Sequence, residues 1–426
     1  MESSPPAPPP SRGSLWFGPY VDESKPWRSR SLLPLKPNDT YLAIRDGSGK
    51  VASFDKNEVE TFEKEVRARA NDLDVSVAVP AYDRWFPVYL MPEPRERGDQ
   101  KPRTDGLWKA LGLTLLLAWF FISPPRQLPI HGPQAKMLIL LALMMFGIMP
   151  LCSEAVHWWE NWRDRAPDRN KRRTVDLILF DRWLGTFSHV AIKVTLILLA
   201  AVYLLQAFSG GQSFAINQII DTLIGGGQSI WNSVMKAALV KPRVMAGEWW
   251  RLITAGVMHG SILHIFFNGS AFYFLGRVTV AMVGSAMLGL VFLASIVGGS
   301  VASLYLSGGR PSVGASGGVM GILGFLAVIL VLHKASIPQR YKVSLLQAIF
   351  IMTIFGTLGA GFIDNAAHGG GFLIGAVLGV VLVPRNERVW EYSAPKLIQI
   401  LGWASWATLA AACFHVTQLL LGWNLY

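Results

Sequence analysis

Charge is what this sequence has least of. Of its 426 residues only 16 % are Asp, Glu, Lys or Arg, against about 25 % in an ordinary soluble domain. Cysteine is nearly absent too. Cys152 and Cys413 lie in or beside different apolar runs, which excludes a disulfide framework or a thiolate zinc set. No secretory signal opens the chain: residues 1–14 are rich in Pro and Ser, contain Glu2 and have no apolar core. They do not read as a transit peptide either, so membrane insertion is expected to rely on internal segments.

What is present is apolar: 51 % of the residues, with 16 Trp among them, a residue suited to membrane–water interfaces. The formal charge of +11 would fit a nucleic-acid binder, but the Lys and Arg residues cluster in loops beside apolar runs. There, orientation and anionic lipid account for them. Membrane lipid is therefore an expected partner and nucleic acid is not.

Residues 1–30 contain Pro5, Pro6, Pro8, Pro9 and Pro10 and read as a disordered tail. Residues 31–104 read as a small α+β cytosolic domain. Tyr41 to Phe54 alternates around Asp46-Gly47-Ser48-Gly49, a hairpin pattern. Asp55 and Glu58 resemble a capping box for a charged helix over about 56–71, and 75–79 fits another strand. Spans are expected near 107–123 and 135–152 (an additional hairpin, 105–153), 186–208, 250–275, 281–306, 315–333, 342–361, 365–384 and 397–421. Arg95, Arg97, Lys101 and Arg103, then six basic residues over 163–173, then Lys334, Arg340 and Lys342, then Arg385, Arg388 and Lys396 all fall on one side of that order. The positive-inside rule makes this side cytoplasmic, with the N-terminus inside.

Three spans carry polar groups that lipid would penalise, and such groups flag function. In the stretch from Met258 to Asn268, His264 and Asn268 share one helix face. Two donors aimed at one point are what a developing oxyanion needs; polar helix packing would also explain them. Gly314-Ala315-Ser316-Gly317-Gly318 begins a span. Its small neighbours leave the Ser316 hydroxyl open, and the Ser316 N–H, at a helix start, lacks an internal partner. Small-residue helix contact is the alternative. In Asp364-Asn365-Ala366-Ala367-His368, His368 lies one turn into an apolar helix, and Gly371 and Gly375 offer a close-approach face. A buried structural histidine is the alternative there. Asp364, four residues earlier, fits a helix N-cap or a third member orienting His368.

As a set, in this order and spacing, these residues resemble the rhomboid intramembrane proteases. The matching residues are Glu248-Trp249-Trp250-Arg251, His259 with His264 and Asn268, Gly314-Ala315-Ser316-Gly317, and Ala367-His368 with Gly371 and Gly375, within roughly 186–385. The resemblance implies an all-α polytopic membrane protein with a six-helix core over 186–385 and, as in some members, a further helix, here at 397–421; the additional transmembrane helices at 105–153 and the small α+β domain lie outside it. It implies a Ser–His dyad of Ser316 and His368, with His264, Asn268, Gly314 and the Ser316 amide around the oxyanion. It implies no cofactor or metal, and transmembrane helices of other proteins as substrates. Met320 stands where many members carry an aromatic against the catalytic histidine, and a sulfur–ring contact would substitute. A bacterial inner membrane is the expected location. Three rivals predict otherwise: a rhomboid-like client-binding protein that does not cut, a transporter lined by His264, Asn268 and His368, and a metal or haem site at His259, His264 and His368.

Overall fold

The computed structural model describes residues 33–34, 42–54, 58–69, 75–78, 84–87, 105–122, 139–140, 142–163, 180–181, 183–209, 228–333, 337–359, 363–385, 389 and 392–423. The tail at 1–30 and Asp55 of the expected capping box lie outside them. The chain divides into two compact units. One comprises Met1–Thr104, Ala155–Thr186 and Pro338–Tyr341, and the other comprises Asp105–Glu154, Phe187–Ile337 and Lys342–Tyr426.

The first unit holds a five-stranded antiparallel sheet in the order β1-β5-β4-β2-β3. Its strands are β1 (Leu33–Pro34), β2 (Leu42–Arg45), β3 (Val51–Phe54), β4 (Ser76–Ala78) and β5 (Arg84–Pro87). The expected hairpin is β2–β3, with Leu42 opposite Phe54. Asp46 closes its turn by accepting from Ser48 N–H at 3.0 Å and Lys50 N–H at 2.9 Å. Gly49 supplies the positive φ of 86° that an L side chain resists. Hydrogen bonds from the Ser48 hydroxyl and the turn amides hold the Asp46 carboxyl below its ordinary range. Helix α1 (Val59–Ala68) buries Phe62 and Val66, one turn apart, and Phe62 meets Phe54 edge-on with ring centroids 5.4 Å apart.

The second unit is helical. It contains α2 (Asp105–Ile122), a π-helical turn at Leu143–Ile148 and the start of α3 (Met149–Arg163). Gly147 lets α2 approach: a Cβ there would lie 3.1 Å from Thr114 Cα. Next come α4 (Val190–Ser209), α5 (Gln228–Ala237), the short α6 (Lys241–Met245) and α7 (Arg251–Thr254), and α8 (Ile262–Leu306). The remainder is α9 (Ser316–Leu332), α10 (Gln339–Leu358), α11 (Asn365–Leu382) and α12 (Lys396–Leu421).

Among the described residues, five helices are long and apolar enough to cross a membrane: Val190–Ser209, Ile262–Leu306, Tyr341–Leu358, Asn365–Leu382 and Lys396–Leu421. Gly284, with φ 87° and ψ 165°, breaks the second into two spans over 262–283 and 285–306. Their outer faces are apolar: Ile197 is 67 % exposed and Val381 70 %. Water would penalise such a surface and lipid does not. The chain is a multi-pass membrane protein. Helix α9 is the shorter, central one. Gly317, Gly321, Gly324 and Phe325 are all buried where α8 and α11 enclose it.

One expected span is corrected. The run near 250–275 does not start at 250; its helix starts at Ile262. Residues 251–257 form α7 and a 3-10 turn, Ala255–Val257. Hydropathy missed this because the segment is apolar but its backbone is held from elsewhere. Arg251, 1 % exposed, donates to the carbonyls of Ala238 (2.7 Å) and Lys236 (3.0 Å) and to Glu248 (2.6 Å), and Thr254 Oγ1 donates to Ala237 O at 3.0 Å. The three carbonyls lie at and just past the end of α5, where no intrahelical donor reaches them. Removing the guanidinium with Arg251→Ala strands several buried acceptors, so a loss of about 2–4 kcal/mol is expected. Arg251→Lys should recover little of it, since one ammonium cannot match the planar fork. Thermal unfolding of the purified protein in detergent reads both.

Candidate active site

Ser316 is the first residue of α9, and three ties fix the loop before it. Leu239 and Ser312 exchange backbone hydrogen bonds of 3.0 and 3.1 Å, and Gly314 N–H donates to Ala255 O at 2.9 Å. Val313 packs on the small core of Ile230, Val234 and Ala238. The segment that Arg251 organises therefore positions the serine loop. Ser316 itself is half-buried, between buried Ala315 and buried Gly317.

His264 and Asn268 reach this loop from the first turns of α8. Ser261 caps that helix by accepting from His264 N–H at 3.1 Å. Gly260 N–H points at His264 Nδ1 from 3.5 Å. With Nδ1 as acceptor, the ring proton sits on Nε2. A Cβ built on Gly314 would lie 2.6 Å from His264 Nε2 and 3.4 Å from Asn268 Nδ2. Both donors thus converge over the Gly314 backbone, two residues before Ser316. Gly314 has φ of 122°, so glycine serves both the backbone angle and the space. Asn268 Nδ2 is buried and has no hydrogen-bond partner among the described residues.

His368 sits in the first turn of α11, half-buried. The helix is capped by Asp364, which accepts from Ala367 N–H at 3.0 Å through Oδ1 and from the Ser303 hydroxyl through Oδ2. Both carboxylate oxygens are therefore engaged by the cap and by α8. Glycines bring α11 onto α9. A Cβ at Gly317 would meet Ala367 O at 3.6 Å, and one at Gly371 would meet Gly317 Cα at 3.0 Å. Ser316 and His368 are the chain neighbours of that Gly317–Ala367 contact. His264 is close enough to His368 to interact electrostatically.

A family model described as the Rhomboid domain matches residues 246–385, the stretch from the Arg251 segment through α11. Residues 246–385 carry a rhomboid domain. It is 29 % identical over 207 residues to Rhomboid protease GluP of Bacillus subtilis (strain 168), covering 49 % of this chain and 37 % of that protein. It is 33 % identical over 180 residues to RHOMBOID-like protein 4 of Arabidopsis thaliana, covering 42 % and 45 %. It is 28 % identical over 184 residues to Rhomboid protease AarA of Providencia stuartii, covering 37 % and 65 %. The chain spans about half the length, or less, of the first of these curated relatives.

Within this rhomboid domain the residues singled out in the sequence gather at one end of α8, α9 and α11. His264, Asn268 and Gly314 are brought together directly. Ser316 and His368 flank one helix–helix contact. His259 lies beside them, fully buried, its ring centroid 5.1 Å from that of His264. Among the described residues, no three His, Cys, Asp or Glu side chains converge as metal ligands would. Sequence reasoning missed two residues that hold the rhomboid site in place. Gln206 of α4 grips the His259 backbone at both ends, donating to its carbonyl at 2.5 Å and accepting from its N–H at 3.3 Å. Ser303 ties the α11 cap to α8. A lone Gln and a lone Ser inside apolar runs were the available signals.

Proposed function

We propose that this chain is an intramembrane serine endopeptidase that cuts transmembrane helices of other proteins. The observation that carries the reading is the convergence of His264 Nε2 and Asn268 Nδ2 over Gly314, beside a serine at the head of a helix packed against the histidine-bearing helix. The relatives GluP and AarA, both rhomboid proteases by name, support it.

In this mechanism Ser316 Oγ attacks the scissile carbonyl while His368 takes its proton. His368 later returns that proton to the leaving amine. As the carbonyl oxygen becomes an oxyanion, the Nε2–H of His264, the Nδ2–H of Asn268 and the Ser316 N–H surround it. Water then hydrolyses the acyl-enzyme. A helical carbonyl is hydrogen-bonded and shielded, so the substrate must unwind locally first. The serine end of α9 lies on the non-cytoplasmic side if the basic loops face the cytoplasm. A bacterial inner membrane with the N-terminus inside is the corresponding location.

The test is cleavage of a helix-destabilised transmembrane substrate by wild type in liposomes, with Ser316→Ala beside it. Product from wild type alone supports the endopeptidase; no product from well-folded wild type favours the client-binding relative. Two further outcomes are expected in the same assay. Asp364→Asn should keep most activity, because asparagine caps a helix nearly as well as aspartate; a drop approaching that of His368→Ala would make Asp364 a third catalytic member. Activity should also fall as pH drops, since the base must be neutral. A rate constant down to pH 4 would remove His368 from that role.

A further inference from the structure

A groove of about 450 Å³ runs between α4 and the first half of α8, along the turns that also carry His264 and Asn268. Its walls are Leu196 and Ala200 on one helix and Ile265, Phe266, Gly269 and Tyr273 on the other. Phe266 and Tyr273 are exposed, so the groove opens onto the lipid-facing surface. The helices are close along it: a Cβ at Gly269 would lie 3.2 Å from Leu196 Cδ2, and one at Gly276 would lie 3.0 Å from Ile192 Cδ1.

Both stripes of the groove continue, at helical spacing, into cations. On α4 the stripe of Ala200 and Leu196 continues to Lys193 and then to His189, just before the helix. On α8 the stripe of Ile265, Gly269 and Tyr273 continues to Arg277, whose guanidinium lies 5.7 Å from the Tyr273 ring centroid. Arg277 and Lys193 are chain neighbours of the Gly276–Ile192 contact, so they share the same end of the groove. Neither α4 nor α8 contains an aspartate or glutamate. His189 Nε2 has no hydrogen-bond partner among the described residues. Burial, and then the positive charge of Arg277 and Lys193, holds the His189 imidazole below its ordinary range. The field at this end of the groove is positive.

We propose that this groove binds one anionic phospholipid, with an acyl chain between Leu196 and Phe266 and the phosphate at Lys193 and Arg277. A wholly apolar transmembrane helix would fill the apolar part but bring no anion to the cationic end. A soluble phosphate would satisfy the charges and leave the apolar walls bare. The same end faces the cytoplasm in the topology proposed above, where the bilayer surface is rich in anionic lipid. None of the proposed catalytic residues lines the groove, and the proposal stands whether or not the chain cleaves.

The experiment uses the full purified chain in detergent, with dioleoyl phosphatidylglycerol, dioleoyl phosphatidylcholine or glycerol phosphate added, read by native mass spectrometry and by the unfolding midpoint. Phosphatidylglycerol should be retained one per chain and raise the midpoint; the other two should do neither. The double variant Lys193→Gln/Arg277→Gln should weaken phosphatidylglycerol binding by about tenfold or more. Arg385→Gln/Lys396→Gln, which removes two exposed cations from the same membrane face, should leave it intact. Ser270→Trp, on the exposed wall of the groove, should block the chain and abolish the adduct without changing charge, and it carries the test if the double variant does not fold. Equal retention of both lipids, or a control pair that weakens binding as much, would overturn the proposal in favour of non-specific lipid. A response to glycerol phosphate alone would reduce it to an anion site. A lipid-free dimer protected at this groove would assign the surface to a second copy of the chain.

Discussion

Ser316→Ala and His368→Ala are each expected to lower cleavage of a transmembrane substrate by about a thousandfold or more, and the double variant should be hardly worse than either. The reason is mechanistic coupling. Without His368 the Ser316 hydroxyl keeps its proton and is a poor nucleophile; without Ser316 a basic His368 has nothing to activate. Each single change removes the whole nucleophilic route, so the losses do not add. What remains comes from oxyanion donors and substrate positioning. His264→Ala and Asn268→Ala should therefore behave differently: each removes one donor among several and should cost less, on the order of ten- to a thousandfold. Single-turnover rates, with folding checked by the unfolding midpoint, distinguish the two patterns. Additive losses from Ser316→Ala and His368→Ala would mean that the two side chains act independently, and the dyad would be abandoned.

Much of the helical layout was legible because one physical quantity, apolar run length, decides it. Helices α4, α9, α11 and α12 lie where continuous apolar stretches required spans. The β2–β3 hairpin was legible because Asp46 and Gly49 carry turn chemistry locally. The Asp364 cap was legible for the same reason, and the structure shows it accepting from Ala367 N–H. The start of α8 was not legible. Residues 251–257 are as apolar as a span, yet their fold depends on Arg251 and Thr254 reaching carbonyls at and just past the end of α5, up to 17 residues away. No window of local hydropathy contains that information. The same holds for Gln206, whose bonds to His259 cross 53 residues. Of the candidate site, the residue types and spacing were readable, and the convergence of His264, Asn268 and Gly314 was not. It arises where the serine loop is pinned by Leu239 and Ala255, which carry no chemistry of their own.

Gly375→Ala is expected to be the most damaging single-methyl change in the helical unit, and Gly369→Ala, six residues earlier on the same helix, nearly silent. A Cβ at Gly375 would run into the Gly321 carbonyl oxygen and lie 2.7 Å from Gly321 Cα, backbone atoms that cannot rotate away. The two helices must part along the contact that also holds Gly371 against Gly317. Overpacking of this kind costs about 1–3 kcal/mol or more, and the close approach of small residues is what drives helix association where lipid supplies no hydrophobic force. Separation at Gly375 propagates one turn at a time toward Gly317 and Ala367, so Ser316 and His368 should lose register and cleavage should fall more than stability. At Gly369 a Cβ meets nothing within 4 Å. There the substitution only restricts the unfolded chain and favours helix, worth about 0.5–1 kcal/mol in its favour. Unfolding midpoints and cleavage rates of the two variants, side by side, give the answer. Equal effects would mean that the α9–α11 contact does not set the geometry of the site, whereas a large gap between them would tie Ser316 and His368 to the glycine face beneath them.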